Sequence, residues 1–244
     1  MSEWDTRETL ARLAAALPDV PRWLETRSML LDGSAEVLGL ADEPLAFIAR
    51  SPESQLISVA GRPAPEAFQE ALYRNEGHGV ALAQLGDEDY AAANLPGWRM
   101  EPAALHLLSG DVRLPAVPRG AVRCVSLPEI MAIGEMPASL KDELRSAASH
   151  SKIGAALEDG HPVAFCYAAS ETETLWDISI DTLEPYRRRG HASAVVSYMV
   201  HRLYERGKRP VWGAEESNTP SMALAAKLGF RPVERLVVFH GPGE

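Results

Sequence analysis

Trp176-Asp177-Ile178-Ser179-Ile180-Asp181-Thr182-Leu183-Glu184-Pro185-Tyr186-Arg187-Arg188-Arg189-Gly190-His191-Ala192-Ser193 is the stretch from which the fold is read. Its first half alternates apolar and polar residues, the pattern of a half-buried strand. Glu184-Pro185 closes that strand, because the residue before proline is pushed out of the helical region and proline donates no hydrogen bond. Three arginines then lead into Gly190, and a helix follows at once. Its apolar face carries Ala192, Val195, Val196, Met199, Val200 and Leu203, with Ser197, His201, Arg202 and Glu205 opposite. Gly207 ends it and Pro210 prevents its resumption. A strand, a glycine turn and a helix start form a device for holding a phosphate. Free backbone N–H groups point at the anion, and the positive end of the helix dipole favours it.

The turn lacks the three glycines of a dinucleotide fingerprint and the Gly-Lys-Ser/Thr of a Walker loop. Arg187-Arg188-Arg189-Gly190-His191-Ala192 instead resembles the Arg/Gln-x-x-Gly-x-Gly/Ala signature of the GNAT N-acetyltransferase superfamily. Downstream, Pro210 to Ala214 reads as a strand, Thr219 as a helix cap with Pro220 at the first helical position, and Gly229-Phe230 as the end of that helix. Asn218-x-x-Ser221-x-x-Leu224-Ala225-x-Lys227-Leu228-Gly229-Phe230 is similar to the closing motif of many bacterial members. Two motifs at the expected separation are far more specific than either alone.

The resemblance implies a GNAT-like α/β (α+β) fold, a mixed central sheet flanked by helices. It also implies acetyl-coenzyme A as cosubstrate and transfer of its acetyl group to a primary amine. The pyrophosphate would rest on amides from Arg189, Gly190, His191, Ala192 and Ser193, with charge added by Arg187 and Arg188. Ile180, Asp181 and Thr182, within the segment Ile178 to Leu183, would offer backbone to the cofactor arm, which Asn218 and Ser221 would also face. Members often carry a Glu on this strand as general base. Asp177 stands at about that position and is the first candidate here, with Glu173, Glu215 and Glu216 in reserve. The family's tyrosine acid, four residues before the final glycine, is replaced by Ala225. Ser221, Tyr198 or a water would have to protonate the thiolate, whose pKa should be near ~8.5.

The rest of the chain bounds this reading. Its 244 residues, 46% of them hydrophobic, suit one large or two small domains. The opening Met-Ser-Glu-Trp-Asp has no basic segment leading into an apolar run, and no apolar stretch approaches the ~20 residues of a membrane span, so a cytoplasmic location is expected. Cys124 and Cys166 stand apart and read as reduced, buried thiols. No metal is expected, because no Cys/His cluster has ligand spacing. His150, His161, His201 and His240 read as ordinary surface or packing residues.

Residues 1–115 hold 9 Arg and no Lys against 18 Asp and Glu, while the remainder is near neutral within a total charge of −10. That asymmetry argues against nucleic acid and is compatible with a cationic acceptor, a small molecule or a peptide amine. A monomer or homodimer is expected.

Two domains are expected, 1–115 and 119–244, joined by the proline- and glycine-rich Gly110 to Gly120. In the first, the strand Ile57–Ala60, helix 65–75, strand 79–84, helix 87–94 and Gly97-Trp98 shadow the C-terminal series strand for strand. The first domain then reads either as a degenerate GNAT-like half or as a generic α/β segment. In its turn, Gly61-Arg62-Pro63-Ala64-Pro65-Glu66, two prolines remove amide donors and Glu66 adds negative charge, which argues against a second cofactor site. A non-catalytic acyl-coenzyme-A sensor is the competing functional class.

Overall fold

The computed structural model describes residues 6–42, 44–108, 110, 114–118 and 120–243, so part of the expected linker, 111–113 and 119, lies outside the described residues. The chain divides into two units. One takes residues up to His106 with Gly213–Met222 and the chain from Pro232; the other takes Leu107–Trp212 and Ala223–Arg231.

The first unit starts with α1 (Arg7–Ala16), a 3-10 turn (Pro21–Trp23) and α2 (Leu24–Asp32). There follow β1 (Glu36–Asp42), β2 (Leu45–Arg50), β3 (Leu56–Ala60), α3 (Pro65–Arg74), β4 (Val80–Gln84), α4 (Glu88–Asn94) and β5, which starts at Arg99 (Arg99–Leu108). β1 to β3 form an antiparallel meander, and β4 joins β3 in parallel. Leu10, Leu13 and Leu30 of the first helices pack on Val37, Phe47, Ala49 and Ala60. Phe68, Ala71 and Ala91 of α3 and α4 pack with Leu38, Ile48, Ile57 and Val59, which come from alternate strand positions and so line the other face. The mixed sheet is thus covered by helices on both sides.

Two of these elements escape the periodicity. β1 contains Gly39 at φ +61 and a register shift against β2 between Leu38 and Ala41, which breaks the alternation. α2 buries Thr26, Arg27 and Ser28, so its inward side is not apolar. Thr26 and Ser58 satisfy each other at 2.5 Å, and the Arg27 guanidinium donates to the carbonyls of Ala14 and Leu17 at the end of α1.

The second unit runs β6 (Val122–Val125), α5 (Leu127–Met131), α6 (Ala138–His150), β7 (Ile153–Glu158), β8 (His161–Glu171), β9 (Leu175–Thr182), a 3-10 turn (Glu184–Tyr186), α7 (His191–Tyr204) and β10 (Arg209–Glu215). α8 (Thr219–Lys227) and β11 (Phe230–His240) complete the chain. β6 to β9 are antiparallel in sequence order, and β10 is parallel to β9. Ile130, Leu140, Leu144 and Ala147 of α5 and α6 pack on Ile153, Ala155, Phe165 and Tyr167. α7 covers the opposite face.

There the helix comes so close to β7 that a Cβ built on Gly154 would lie 2.8 Å from both Cγ and Sδ of Met199. Gly154→Val should therefore lower stability by about 1–3 kcal/mol, and shortening the neighbour in the double variant with Met199→Ala should recover part of it. Denaturant unfolding of the four proteins measures this; additive losses would refute the close contact.

His191 to Tyr204 forms α7 as the apolar row requires, with Val195, Val196, Met199, Val200 and Leu203 buried. In α8 the cap differs from expectation. Asn218, not Thr219, accepts the Ser221 N–H, at 3.2 Å, and Pro220 sits one place further into the helix.

In chain order, α1 to α4 and α5 to α8 thus follow one series, two helices, a three-strand antiparallel meander, a helix, a parallel strand and a helix, the second being preceded by β6.

Candidate functional site

The site is built on β9. Phe165 pairs with Asp181 and Tyr167 with Ser179, so these residues share one sheet face, the face that α6 covers. Asp177, two residues from Ser179, falls on the same side. Across it reaches Glu143 of α6. Its Oε1 accepts the Tyr167 hydroxyl and, at 3.3 Å, the Ser179 hydroxyl. Burial, reinforced by the negative charge of Glu143, raises the Asp181 carboxyl to about 6, with the Arg187 guanidinium pulling the other way. Burial and Glu143 likewise push the Tyr167 hydroxyl up and keep it protonated.

The other side of β9 carries Trp176, Ile178, Ile180 and Thr182. Here the ladder to β10 consists of Leu175 with Arg209, Trp176 with Pro210 and Asp177 with Val211. From Ile178 onward β9 runs past the end of that ladder, while its opposite edge stays paired to β8 as far as Thr182. An extended edge of this kind offers N–H and C=O groups to an amide-bearing arm.

Beyond Leu183 the chain makes its 3-10 turn and enters the arginines. Arg187 Nε donates to the Thr182 carbonyl at 3.1 Å, so this side chain braces the strand end. Arg188 has φ +62 and Gly190 φ +90, both in the left-handed region, and Gly190 is the residue that opens α7. No side chain caps this helix, so the first-turn amides of His191, Ala192 and Ser193 lack the partners that a cap would give. Arg187, Arg188, Arg189 and Gly190 are exposed, His191 and Ala192 half-buried and Ser193 buried. Arg189 lies over the Tyr186 ring, 5.5 Å from its centroid. The Glu158 carboxylate receives Arg189 Nη1 at 2.6 Å on Oε1 and His191 Nε2 at 2.7 Å on Oε2. Uncapped amides at a positive helix end, with the exposed Arg188 beside them, are groups able to hold an anion.

Asn218 and Ser221 belong to the first unit, where their observed bond is the α8 cap. Ala225 is fully buried, so the place of the expected tyrosine holds only a methyl group. Tyr198 meets Cys124 Sγ at 3.7 Å, and burial together with that thiol raises its hydroxyl. Cys166 is wholly buried and its thiol pushed up by burial, which suits an inert packing residue. Glu216 pairs with Arg235 at 2.8 Å. His240, read from sequence as an ordinary surface or packing residue, bonds Glu215 at 2.6 Å, and both converge with Glu101, whose carboxylate also holds Arg99.

Glu143, Tyr167 and Glu158 were not singled out by the sequence reading. A trace of the first was present: Glu143 stands three residues after Leu140 and one before Leu144, on the flank of the apolar row.

Residues 145–239 match the family model described as GNAT acetyltransferase. The uncharacterized N-acetyltransferase YdfB of Bacillus subtilis (strain 168) is 34% identical over 86 residues, which is 35% of this chain and 33% of that protein. The match therefore spans about a third of that relative's length. A GCN5-related N-acetyltransferase-like protein from Streptococcus suis 89/1591 superposes with a TM-score of 0.66 at 15% identity, covering 96% of this chain and 98% of its own. A tandem GNAT protein from the clavulanic acid biosynthesis pathway does so with 0.53 at 16% identity, over 82% and 79%. Both sequence motifs lie inside the matched region, so residues 145–239 are similar to GNAT acetyltransferases, and the fold is shared with these structures.

Proposed function

We propose that this protein is an acetyl-coenzyme-A-dependent N-acyltransferase that acetylates a primary amine on a small molecule or peptide. The observation that carries the reading is Gly190. It is held at positive φ at the uncapped start of α7 and preceded by three exposed arginines, and it follows a strand whose ladder to β10 has already ended.

The cosubstrate supplies an acyl group already activated as a thioester. The chain's own residues do the rest. Amides of residues 189–193 hold the diphosphate, and the free edge of β9 orients the arm so that the reacting carbon is presented beside Asp181. Asp181 is proposed as the group that takes the proton from the attacking ammonium. Four residues from the sequence candidate Asp177 and on the same face, it has a carboxyl raised by burial and by Glu143 to about 6, nearer the range where a general base works well. The N–C bond forms as the C–S bond breaks, and the thiolate takes up a proton from water, Ala225 offering none.

We further infer that the first unit is a degenerate copy of the second. The shared element order and strand sense support it. Its α3 begins with Pro65 and Glu66 where α7 begins with His191 and Ala192, which weighs against a second cofactor site.

Calorimetry with acetyl-coenzyme A, followed by thiol release across a panel of amines, tests the function. Binding with amine-dependent thiol release supports a transferase. Binding with no release from any amine would favour a non-catalytic sensor, and failure of the wild-type chain to bind would refute both.

A further inference from the structure

We propose that Glu158 is a positioning residue for the pyrophosphate loop, stapling together the two residues on either side of Gly190; the inference rests on the acetyl-coenzyme-A reading above. Its two carboxylate oxygens are divided between them, Oε1 to Arg189 and Oε2 to His191, at 2.6 and 2.7 Å. Glu158 is itself well anchored. It is the last residue of β7, paired with His161 across a two-residue turn in which Asp159 and Gly160 both have positive φ, as a tight hairpin requires. The staple therefore ties the loop to a hairpin of the sheet.

A glycine at positive φ loses more backbone freedom on ordering than any other residue, and a loop left free would lose it when the ligand arrives. Fixing both neighbours in advance moves that loss into folding. His191 is the first residue of α7, so holding its ring also sets the direction in which the first amides point.

The carboxylate has an opposite influence as well, since a negative charge beside a diphosphate repels it. Its charge is already matched by the Arg189 guanidinium, which leaves preorganisation as the stronger effect. The two influences predict opposite signs for the same variant, so the experiment decides between them.

Glu158→Ala, Glu158→Gln and the wild-type chain are compared by calorimetry with acetyl-coenzyme A, by steady-state kinetics, and by hydrogen exchange of amides 187–194 without ligand. The expected result for Glu158→Ala is a rise of about tenfold in Kd and KM, a smaller change in kcat at saturating cofactor, and faster exchange in the loop. Glu158→Gln keeps an acceptor for Arg189 and should fall between the two. Unchanged or tighter binding by Glu158→Ala would overturn the positioning role, whether or not exchange quickens. A wild-type chain that fails to bind would overturn the cofactor reading, and this role with it. A wild type that binds beside an unaffected Glu158→Ala removes this role alone.

Discussion

Gly190→Glu should reduce affinity for acetyl-coenzyme A by at least about 100-fold, equivalent to roughly 2.7 kcal/mol. The cause is not crowding, since a Cβ at this position meets nothing within 4 Å. Two other effects act. At φ +90 any residue with a Cβ is strained, by roughly 1–2 kcal/mol, and relaxes by turning the first-turn amides away from the ligand. The added carboxylate then sits at the positive end of α7, where the diphosphate would lie.

Gly207 separates strain from site. It follows the same helix, has φ +77, and also faces open space. Gly190→Ala and Gly207→Ala should therefore cost similar stability, a few degrees in Tm for a chain of this size. Only the first should cost affinity. Thermal unfolding and calorimetry on the two alanine variants and on Gly190→Glu make the comparison. Equal affinity across all three would remove the diphosphate cradle from this loop.

How far the fold was legible follows from what each element's pattern encodes. α7 was readable because one face is buried and the other is not, and β9 because apolar Trp176, Ile178 and Ile180 alternate with polar Asp177, Ser179 and Asp181 on the side that meets Glu143, so period 3.6 and period 2 survive in the residues. Gly190 was readable because a left-handed residue between a strand and a helix has to be written in the sequence. β1 was not, since its irregularity at Gly39 puts the alternation out of step. Nor was α2, whose buried Thr26 meets the Ser58 hydroxyl and whose Arg27 donates to carbonyls at the end of α1, partners that lie outside the helix's own stretch of sequence.

The same limit decided the site. Asp177 and Asp181 are equivalent in the strand pattern, being four residues apart on one face. What distinguishes Asp181 is its depth and the charge of Glu143, delivered by α6 from more than thirty residues earlier. The Glu158 staple likewise depends on a hairpin that brings β7's end to the start of α7. Resemblance to a family could supply the cradle, but it could not supply side chains particular to this chain.

Asp181→Asn should lower kcat by about 100-fold or more, the usual contribution of a general base, and should at the same time make the protein more stable at neutral pH. Both follow from one property. In the folded chain the carboxyl is raised to about 6 from an ordinary 3.8, so folding favours the protonated, neutral form. Relative to the unfolded chain, that preference supports the fold below pH ~3.9 and is lost as pH rises through about 6. Above that, the ionised group costs stability, a cost that the neutral amide removes. Asp181→Asn and wild type should therefore unfold at similar temperatures near pH 4, and the variant at a higher temperature at pH 8. In kinetics, wild-type kcat/KM should climb as pH passes about 6, and the variant should lack that limb. Asp177→Asn is the necessary comparison, because it alters the same face without touching the raised carboxyl. If Asp177→Asn loses turnover and Asp181→Asn keeps it, the base is the residue that the sequence first suggested. If both keep it, proton removal does not depend on this strand face. Coupled loss of turnover and gain of stability at Asp181 alone would mean that the chain retains a destabilising buried charge because the reaction needs it, a trade common at catalytic carboxylates.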